Sequence, residues 1–289
     1  MLSISVKEFL FWKKKQLSKG GDHQSLSLLL DSLGGISTSD LNSFNINPEG
    51  KLYLKKNLEF LESVWDDHLQ RSCPIQYLSG ITFWRDLKLK VTNKVLIPRP
   101  ETELIVDIVF NIFRKKSEKL FFAELGTGSG AISIALALAY PLSEGLATDI
   151  DQHALEIATN NFINSSKKSN LKFYCGNWWS PLESFKGKLD LAISNPPYIP
   201  RDTYEKLPKE VKNFEPKVAL LGGEDGLKHI REIIQKAPSF LKENGWLILE
   251  NHFDQSEKVK QLLIKNKFTS IKIVKDLSGI GRFTIGRYK

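Results

Sequence analysis

Along the chain the spacing of apolar residues changes character twice. Val6, Phe9, Leu10 and Leu17 recur near a 3.6-residue period, the mark of an amphipathic helix. A second helical segment, Ser25–Leu33, is leucine-rich and stops at Gly34-Gly35, which suits a left-handed C-cap. Ser37, Thr38, Ser39 and Asp40 offer N-caps for a short third helix. Leu52, Leu54, Leu58, Leu61, Val64, Trp65 and Leu69 mark a longer helix over about 50–71. Residues 3 to about 72 thus read as a small helical bundle, and the pattern fits a cover for a larger domain as well as it fits a partner-recognition module. The segment Gly80–Val91 alternates apolar and polar residues in its second half, as in a strand pair with one solvated face. Ile97-Pro98-Arg99-Pro100 then interrupts regular structure, because each proline disfavours helix at the residue before it. The expected organisation is an N-terminal helical domain over 1–74, a β-hairpin linker over 75–98 and a main domain over 99–289.

Beyond residue 100 short apolar runs alternate with helical patterns. Strands are predicted at Leu120–Leu125, Leu146–Ile150, Leu171–Cys175, Leu189–Ser194, Trp246–Glu250, Ser270–Val274 and Arg282–Gly286. Helices are predicted at Ala131–Ala139, Gln152–Asn164, Leu227–Leu241 and Val259–Asn266. Strand–helix alternation implies an α/β fold, a parallel sheet with helices on both faces, whose ligands bind at the carboxyl ends of the strands.

Composition narrows the class. With 41% hydrophobic and 26% charged residues the chain has a globular make-up, which disfavours disorder and collagen-like repeats. The longest apolar run, Ala131–Leu142, falls short of the ~18–20 residues that span a bilayer. Phe9–Trp12 is too short for a signal-peptide core, and Lys13–Lys15 follows it rather than preceding it, so a soluble cytoplasmic protein is expected, with no membrane partner. Cys73 and Cys175 cannot make a disulfide framework or a four-ligand zinc site, and the 5 histidines are scattered, so no metal is expected. The net charge is +8, yet residues 1–80 hold nine basic and nine acidic side chains, so the excess lies entirely beyond them. Its clusters, Arg114–Lys119, Lys167–Lys168 and Lys258–Lys275, read as solvated faces rather than a binding groove.

Two segments carry chemistry. Glu124-Leu-Gly126-Thr127-Gly128-Ser129-Gly130 follows the first strand of the main domain and opens a helix, where glycines let the backbone turn tightly and approach a ligand. Its G-x-G-x-G spacing differs from the G-x-G-x-x-G of dinucleotide sites. Asp149 ends the next strand, where a carboxylate can accept hydrogen bonds from ribose hydroxyls; Asp151 suits the competing role of helix N-cap better. Asn177-Trp178 follows the third strand with an amide and an indole suited to a purine. The second segment is Asn195-Pro196-Pro197-Tyr198, directly after the fourth strand. Its prolines stiffen the turn, the Pro196 carbonyl and the Asn195 side-chain oxygen are two acceptors, and Tyr198 offers a flat face: a clamp for a planar –NH2 group.

The glycine loop, the strand-end acid and the N-P-P-Y corner together resemble the class I S-adenosylmethionine-dependent methyltransferases that modify planar nitrogen. Within these the chain resembles the peptide chain release factor N5-glutamine methyltransferases through Pro74–Gly80, Phe83-Trp84, Leu96–Glu103, Glu124–Gly130, Ala147–Asp149, Gly176–Trp178, Ser194–Tyr198, Phe214–Pro216 and Asp276–Gly279. The Ile97-Pro-Arg-Pro-Glu-Thr-Glu103 segment discriminates, since N-P-P-Y also occurs in DNA adenine methyltransferases. The resemblance implies a Rossmann-like domain with a mostly parallel seven-stranded sheet and an N-terminal helical domain that recognises substrate. It implies S-adenosylmethionine as cofactor, held by Gly126, Thr127, Gly128, Ser129, Gly130, Asp149, Asn177, Trp178 and Asn195. Asn177 stands where relatives often have Asp; its amide oxygen can still accept a hydrogen bond. Asn195, Pro196, Pro197 and Tyr198 would hold the substrate and carry catalysis; Arg99 and Glu103 would shape the floor of that pocket, a salt-bridge role being an equal alternative.

The implied substrate is the glutamine of the Gly-Gly-Gln loop in class 1 release factors, methylated on its side-chain nitrogen to modulate translation termination. The enzyme would act as a monomer, with nucleic acid not expected as substrate. An amide nitrogen is a poor nucleophile, and no Lys, His or Cys stands in the N-P-P-Y segment to deprotonate it. Orientation and desolvation would then supply most of the acceleration. The rival enzymatic reading is adenine-N6 methylation of DNA or RNA, against which the neutral N-terminal region and the lack of an Arg-rich segment weigh mildly. A non-catalytic scaffold has no need of the amide clamp, and a nicotinamide dehydrogenase is disfavoured by the glycine spacing.

Overall fold

The computed structural model describes residues 2–44, 49–115, 117, 119–165 and 170–289. Lys167 and Lys168, and Lys116 and Glu118 of the Arg114–Lys119 cluster, lie outside the described residues. The chain divides into two compact units, 1–82 with 209–214, and 83–208 with 215–289.

The first unit is mainly helical around Phe9, Trp12, Leu26, Leu29, Leu30, Leu61 and Trp65, all buried. Helix Val6–Lys19 is capped by Ser5, whose hydroxyl accepts from the Glu8 N–H. Helix His23–Leu29 is capped by Asp22, widens to a π-turn over Leu30–Gly34 and stops at Gly35 in the left-handed conformation, as the Gly-Gly signal implies. Ser37 caps Thr38–Phe44 reciprocally: its hydroxyl accepts from the Asp40 N–H while the Asp40 carboxylate accepts from the Ser37 N–H.

The reading of 50–71 as one helix is corrected. Lys51–Leu54 is a strand, antiparallel to a second strand at Leu2–Ser5, with Leu2 opposite Leu54 and Ser5 opposite Lys51. The reason lies in the local period: Leu52 and Leu54 are buried while Lys51 and Tyr53 are exposed, an alternation of two rather than 3.6. The helix begins at Leu58 and runs to Arg71, because the Asn57 side chain accepts from the Phe60 N–H and fixes its start.

The second unit is built on a seven-stranded sheet. We number its strands β1 (Phe121–Leu125), β2 (Glu144–Asp149), β3 (Asn170–Cys175), β4 (Leu189–Ser194), β5 (Leu241–Glu250), β6 (Phe268–Lys275) and β7 (Gly281–Tyr288). Their order is β6-β7-β5-β4-β1-β2-β3. The pairs from β5 through β3 are parallel, and β7 runs antiparallel to both of its neighbours. The central strands are buried on both faces. Phe122, Leu191, Ile193 and Ile248 pack to one side with helices Leu104–Ile112 and Ala131–Ala139. Ala123, Ala192, Leu247 and Leu249 alternate with them and pack to the other side with helices Lys228–Lys236 and Ser256–Lys265.

All seven predicted strands and four predicted helices are found; Ala131–Ala139 and Leu189–Ser194 keep their predicted ends and the others shift. The helix expected to reach Leu241 stops at Lys236, because Pro238 lacks a backbone donor and the chain continues as a 3₁₀ turn over Ala237–Ser239. β5 begins at Leu241 rather than Trp246, with an irregularity in its register between Leu189 and Leu191. Helix Leu104–Ile112 was not anticipated: its apolar run is short, and it follows a proline-rich corner. The alternating segment forms the hairpin Ile81–Trp84 and Leu87–Lys90. Most described lysines of Lys258–Lys275 are exposed, as a solvated face requires.

Candidate functional site

β1 lies at the centre of the sheet, with β2 on one side and β4 on the other, so the chain order reverses at the carboxyl ends of these strands. Such a switch point leaves a crevice, because the connections depart in opposite directions. A cavity opens there, walled by Glu124, Gly126, Thr127, Gly128 and Ser129 after β1, Asp149 after β2, Asn177 and Trp178 after β3, and Asn195 and Pro197 after β4.

The loop after β1 is held from beneath. The Glu124 carboxylate accepts from the Thr127 hydroxyl at 2.6 Å and from the Ser133 N–H at 2.9 Å. Burial pushes the Glu124 carboxyl up to about 7, against the pull of those hydrogen bonds. The Gly126 and Thr127 N–H groups both donate to the Thr148 carbonyl, at 2.8 and 2.9 Å. Gly128 has φ +55, and a Cβ there would meet nothing within 4 Å, so this residue faces open cavity. Gly130 does not line the cavity. A Cβ on it would come within 2.9 Å of Ile134 and 3.2 Å of Ala158, so its bareness lets two helices approach.

Asp149 is half-buried at the end of β2, accepting from the Gly128 N–H at 2.8 Å and from the Asp151 N–H at 3.0 Å. Burial raises its pKa, opposed by these two bonds. Asp151 takes the N-cap role, accepting from the His153 N–H at 2.8 Å. Trp178 adopts a left-handed φ of 49°, donates its indole N–H to Glu232 at 3.1 Å, and sits 5.5 Å from the His229 ring centroid.

The N-P-P-Y corner follows β4 directly, and Ser194 ties it to the glycine loop by donating to the Leu125 carbonyl at 2.7 Å. Pro196 and Pro197 are buried, while Asn195 and Tyr198 are half-buried; of these four, Asn195 and Pro197 line the cavity and Pro196 and Tyr198 do not. Asn195 Nδ2 donates to Thr102 Oγ1 at 3.3 Å, Thr102 donates to Glu250 Oε2 at 2.7 Å, and the Tyr198 hydroxyl donates to Glu250 Oε1 at 3.3 Å. Burial pushes the Glu250 carboxyl up to about 7, and burial together with Glu250 holds the Tyr198 phenol well above its usual range. The Gln255 amide donates to the Tyr198 carbonyl at 2.9 Å, which fixes the corner from its far side.

Arg99 and Glu103 do not line the cavity. Arg99 pairs with Glu215 at 2.6 Å, and Glu103 accepts from the Arg85 N–H at 2.9 Å, supporting the turn between the two hairpin strands. Thr102, between them in sequence, lines the cavity instead. Thr102 and Glu250 are among the residues that sequence reasoning passed over, as are Ile150 and His229 of the cavity lining. Glu250 ends β5 and could have been found by the rule that selected Asp149, since both are acids at the carboxyl end of a parallel strand.

Sheet order and switch-point site together define a class I methyltransferase fold. A model of the methyltransferase small domain matches residues 105–208. A methyltransferase structure from Pyrococcus furiosus aligns at a TM-score of 0.50 with 20% identity, covering 70% of this chain and 89% of that one. The hMettl16 catalytic domain, solved in complex with MAT2A 3′UTR hairpin 6, aligns at 0.59 with 14% identity, covering 94% of each chain. Sequence relatives are closer. The release factor glutamine methyltransferase of Prochlorococcus marinus is 41% identical over 284 residues, spanning 97% of this chain and 96% of its own. That of Synechocystis sp. is 39% identical over 296 aligned positions, spanning 98% and 97%. The chain belongs to the release factor glutamine methyltransferase family.

Proposed function

We propose that this protein transfers a methyl group from S-adenosylmethionine to the side-chain amide nitrogen of the glutamine in the Gly-Gly-Gln motif of class 1 peptide chain release factors. The observation that carries the reading is that Asn195 and Pro197 share a cavity wall with Gly126, Gly128 and Asp149, in a chain of this family.

The residues present fit the cofactor. Open space over Gly128 leaves room for a ligand against bare backbone, and the Trp178 indole, anchored by Glu232, gives a flat apolar wall. Gly126, Thr127, Gly128 and Ser129 would line the aminoacyl end, Asp149 would accept from ribose hydroxyls, and Asn177 and Trp178 would flank adenine. The cofactor supplies an electrophilic methyl group on a positively charged sulfur.

Asn195 and Pro196 would offer two oxygens to the two hydrogens of the carboxamide, and Tyr198 would pack against its plane. Glu250 is linked to Asn195 only through Thr102, and its two oxygens accept from Thr102 and Tyr198, so no base is placed against the amide nitrogen by these bonds. Turnover then rests on orientation and exclusion of water, which together can be worth ~7–11 kcal/mol; the nitrogen would lose its proton to solvent after the transfer, with S-adenosylhomocysteine as the second product. The N-terminal unit would bind the body of the release factor, the enzyme working as a monomer in the cytoplasm. Among the described residues no helix is long and apolar enough to cross a membrane.

The reading is tested by mass spectrometry of purified class 1 release factors and of duplex DNA, each incubated with enzyme and S-adenosylmethionine. Gain of one methyl group on the Gly-Gly-Gln peptide, with none on adenine, is the expected result. The reverse pattern would transfer the assignment to adenine-N6 methylation, which no observation here favours.

A further inference from the structure

Asn195 has two chemically opposite ends on one side chain, an oxygen that accepts and an NH2 that donates. Which end faces the cavity decides whether the site attracts a donor such as a carboxamide NH2 or repels it. Nothing within the N-P-P-Y corner settles that choice, since proline rings offer no donor. The choice is settled by two residues from other parts of the chain.

Glu250, only 2% exposed, meets two donors, one on each carboxylate oxygen: Thr102 at 2.7 Å and Tyr198 at 3.3 Å. An ionised carboxylate can only accept, so Thr102, itself 3% exposed, must spend its single hydroxyl proton on Glu250. Toward Asn195 the Thr102 oxygen then shows only a lone pair. Asn195 must answer with its NH2, which is the 3.3 Å contact observed, and its Oδ1 is left for the cavity.

We infer that Glu250 is a positioning residue that, acting through Thr102, sets the hydrogen-bond polarity of Asn195 so that the site presents an acceptor and selects a substrate group bearing N–H donors. The inference rests on the reading of Asn195–Tyr198 as the grip on a carboxamide. Reversing the chain would aim the NH2 of Asn195 at the NH2 of the substrate, leaving donors unmatched in a site shielded from water. The same carboxylate takes the Tyr198 proton, which holds that ring in register beside Asn195. Burial raises the Glu250 pKa to about 7, opposed by Thr102, Tyr198 and Arg282 and reinforced by Glu101, so at pH 8 the ionised form predominates.

The test compares Thr102→Ser with Thr102→Val at pH 8, using a Gly-Gly-Gln peptide and S-adenosylmethionine. Valine keeps the shape of threonine and loses the hydroxyl; serine keeps the hydroxyl and loses a methyl group. Polarity relay predicts that Thr102→Val lowers kcat at least 10-fold, with the cofactor Kd from calorimetry within twofold of wild type. Thr102→Ser recovers turnover to within threefold. A role in packing alone predicts the opposite order, because valine fills the space that serine empties. Glu250→Ala removes both acceptors and should lower kcat at least as far as Thr102→Val does, since it breaks the relay and also frees the Tyr198 hydroxyl; the double variant should lose no more than Glu250→Ala alone. Should Glu250→Ala unfold, the Thr102 pair still decides. If wild type methylates the peptide and Thr102→Val equals or exceeds Thr102→Ser, the relay is wrong and the amide reading stands. If wild type methylates neither the peptide nor a purified class 1 release factor, the amide reading falls and takes the relay with it.

Discussion

One Arg99 guanidinium nitrogen reaches both oxygens of Glu215, at 2.8 and 2.6 Å across 116 residues of sequence. The pair joins the proline-rich corner before helix Leu104–Ile112 to the segment after Phe214, and the Glu215 side chain is 1% exposed. Burial raises the Glu215 pKa and Arg99 works against it, so the carboxylate depends on its partner to remain charged.

Arg99→Ala should therefore act on stability. Fully buried pairs lose ~3–5 kcal/mol when one partner is removed; because Arg99 reaches solvent, about 2–3 kcal/mol is expected here. Urea unfolding should show the loss, while KM for a Gly-Gly-Gln peptide moves by less than about threefold. Unchanged stability with a KM raised ~10-fold would instead put Arg99 on the substrate floor.

Asn195→Ala should separate turnover from cofactor binding. The variant removes an oriented acceptor and leaves the glycine loop, Asp149 and Trp178 in place. A fall of about 10²–10³ in kcat is expected, the scale of losing one preorganised hydrogen-bonding group. Calorimetry should find the S-adenosylmethionine Kd within about threefold of wild type, and equal losses in both measurements would contradict this division.

Glu124 makes stability depend on pH. Its carboxyl titrates near 4.5 when unfolded and about 7 when folded, so between those values the folded state binds more protons. The stability it contributes is present in full below about 4.5 and is lost as pH rises through about 7, a change on the order of 3 kcal/mol. Glu124→Gln keeps an acceptor for Thr127 and Ser133 and cannot ionise, so its unfolding free energy should fall less steeply over that window. Glu250, Asp149 and Glu215, shifted in the same direction, contribute to the slope that remains.

Gly222→Ala should damage the N-P-P-Y corner from below. A Cβ there would stand 2.7 Å from the Pro197 carbonyl oxygen and 2.6 Å from that of Gly226, both backbone atoms that cannot swing aside. Overpacking of this kind costs about 1–3 kcal/mol. Displacing Pro197 should reduce kcat by more than the folded fraction at the assay temperature explains. Circular dichroism at that temperature, run beside the assay, separates the two effects.

The strands of the sheet were legible because each is a short apolar run bounded by turn residues, and Asn195–Tyr198 and Gly126–Gly130 were legible because chain neighbours make those motifs. Lys51–Leu54 was misread because its leucines also fit the helical row that starts at Leu58, and only pairing with Leu2–Ser5 makes the strand worth forming. Arg99 and Glu103 drew attention as charges in a distinctive segment, yet the fold spends them on Glu215 and on the Arg85 turn and turns Thr102 to the cavity.

By itself the sequence determined the α/β alternation, the position of the crevice at the strand ends and the groups suited to a nucleoside and a planar amide. Each of these follows from local period and chain proximity, which fix what a short segment can form. Tertiary structure alone decided the partners of those groups. Thr102 and Glu250 stand 148 residues apart, and a hydrogen bond between them exists only once β5 and the proline-rich corner have been brought together. Side-chain polarity in a buried network is a property of the whole set of donors and acceptors, and no single segment contains that set.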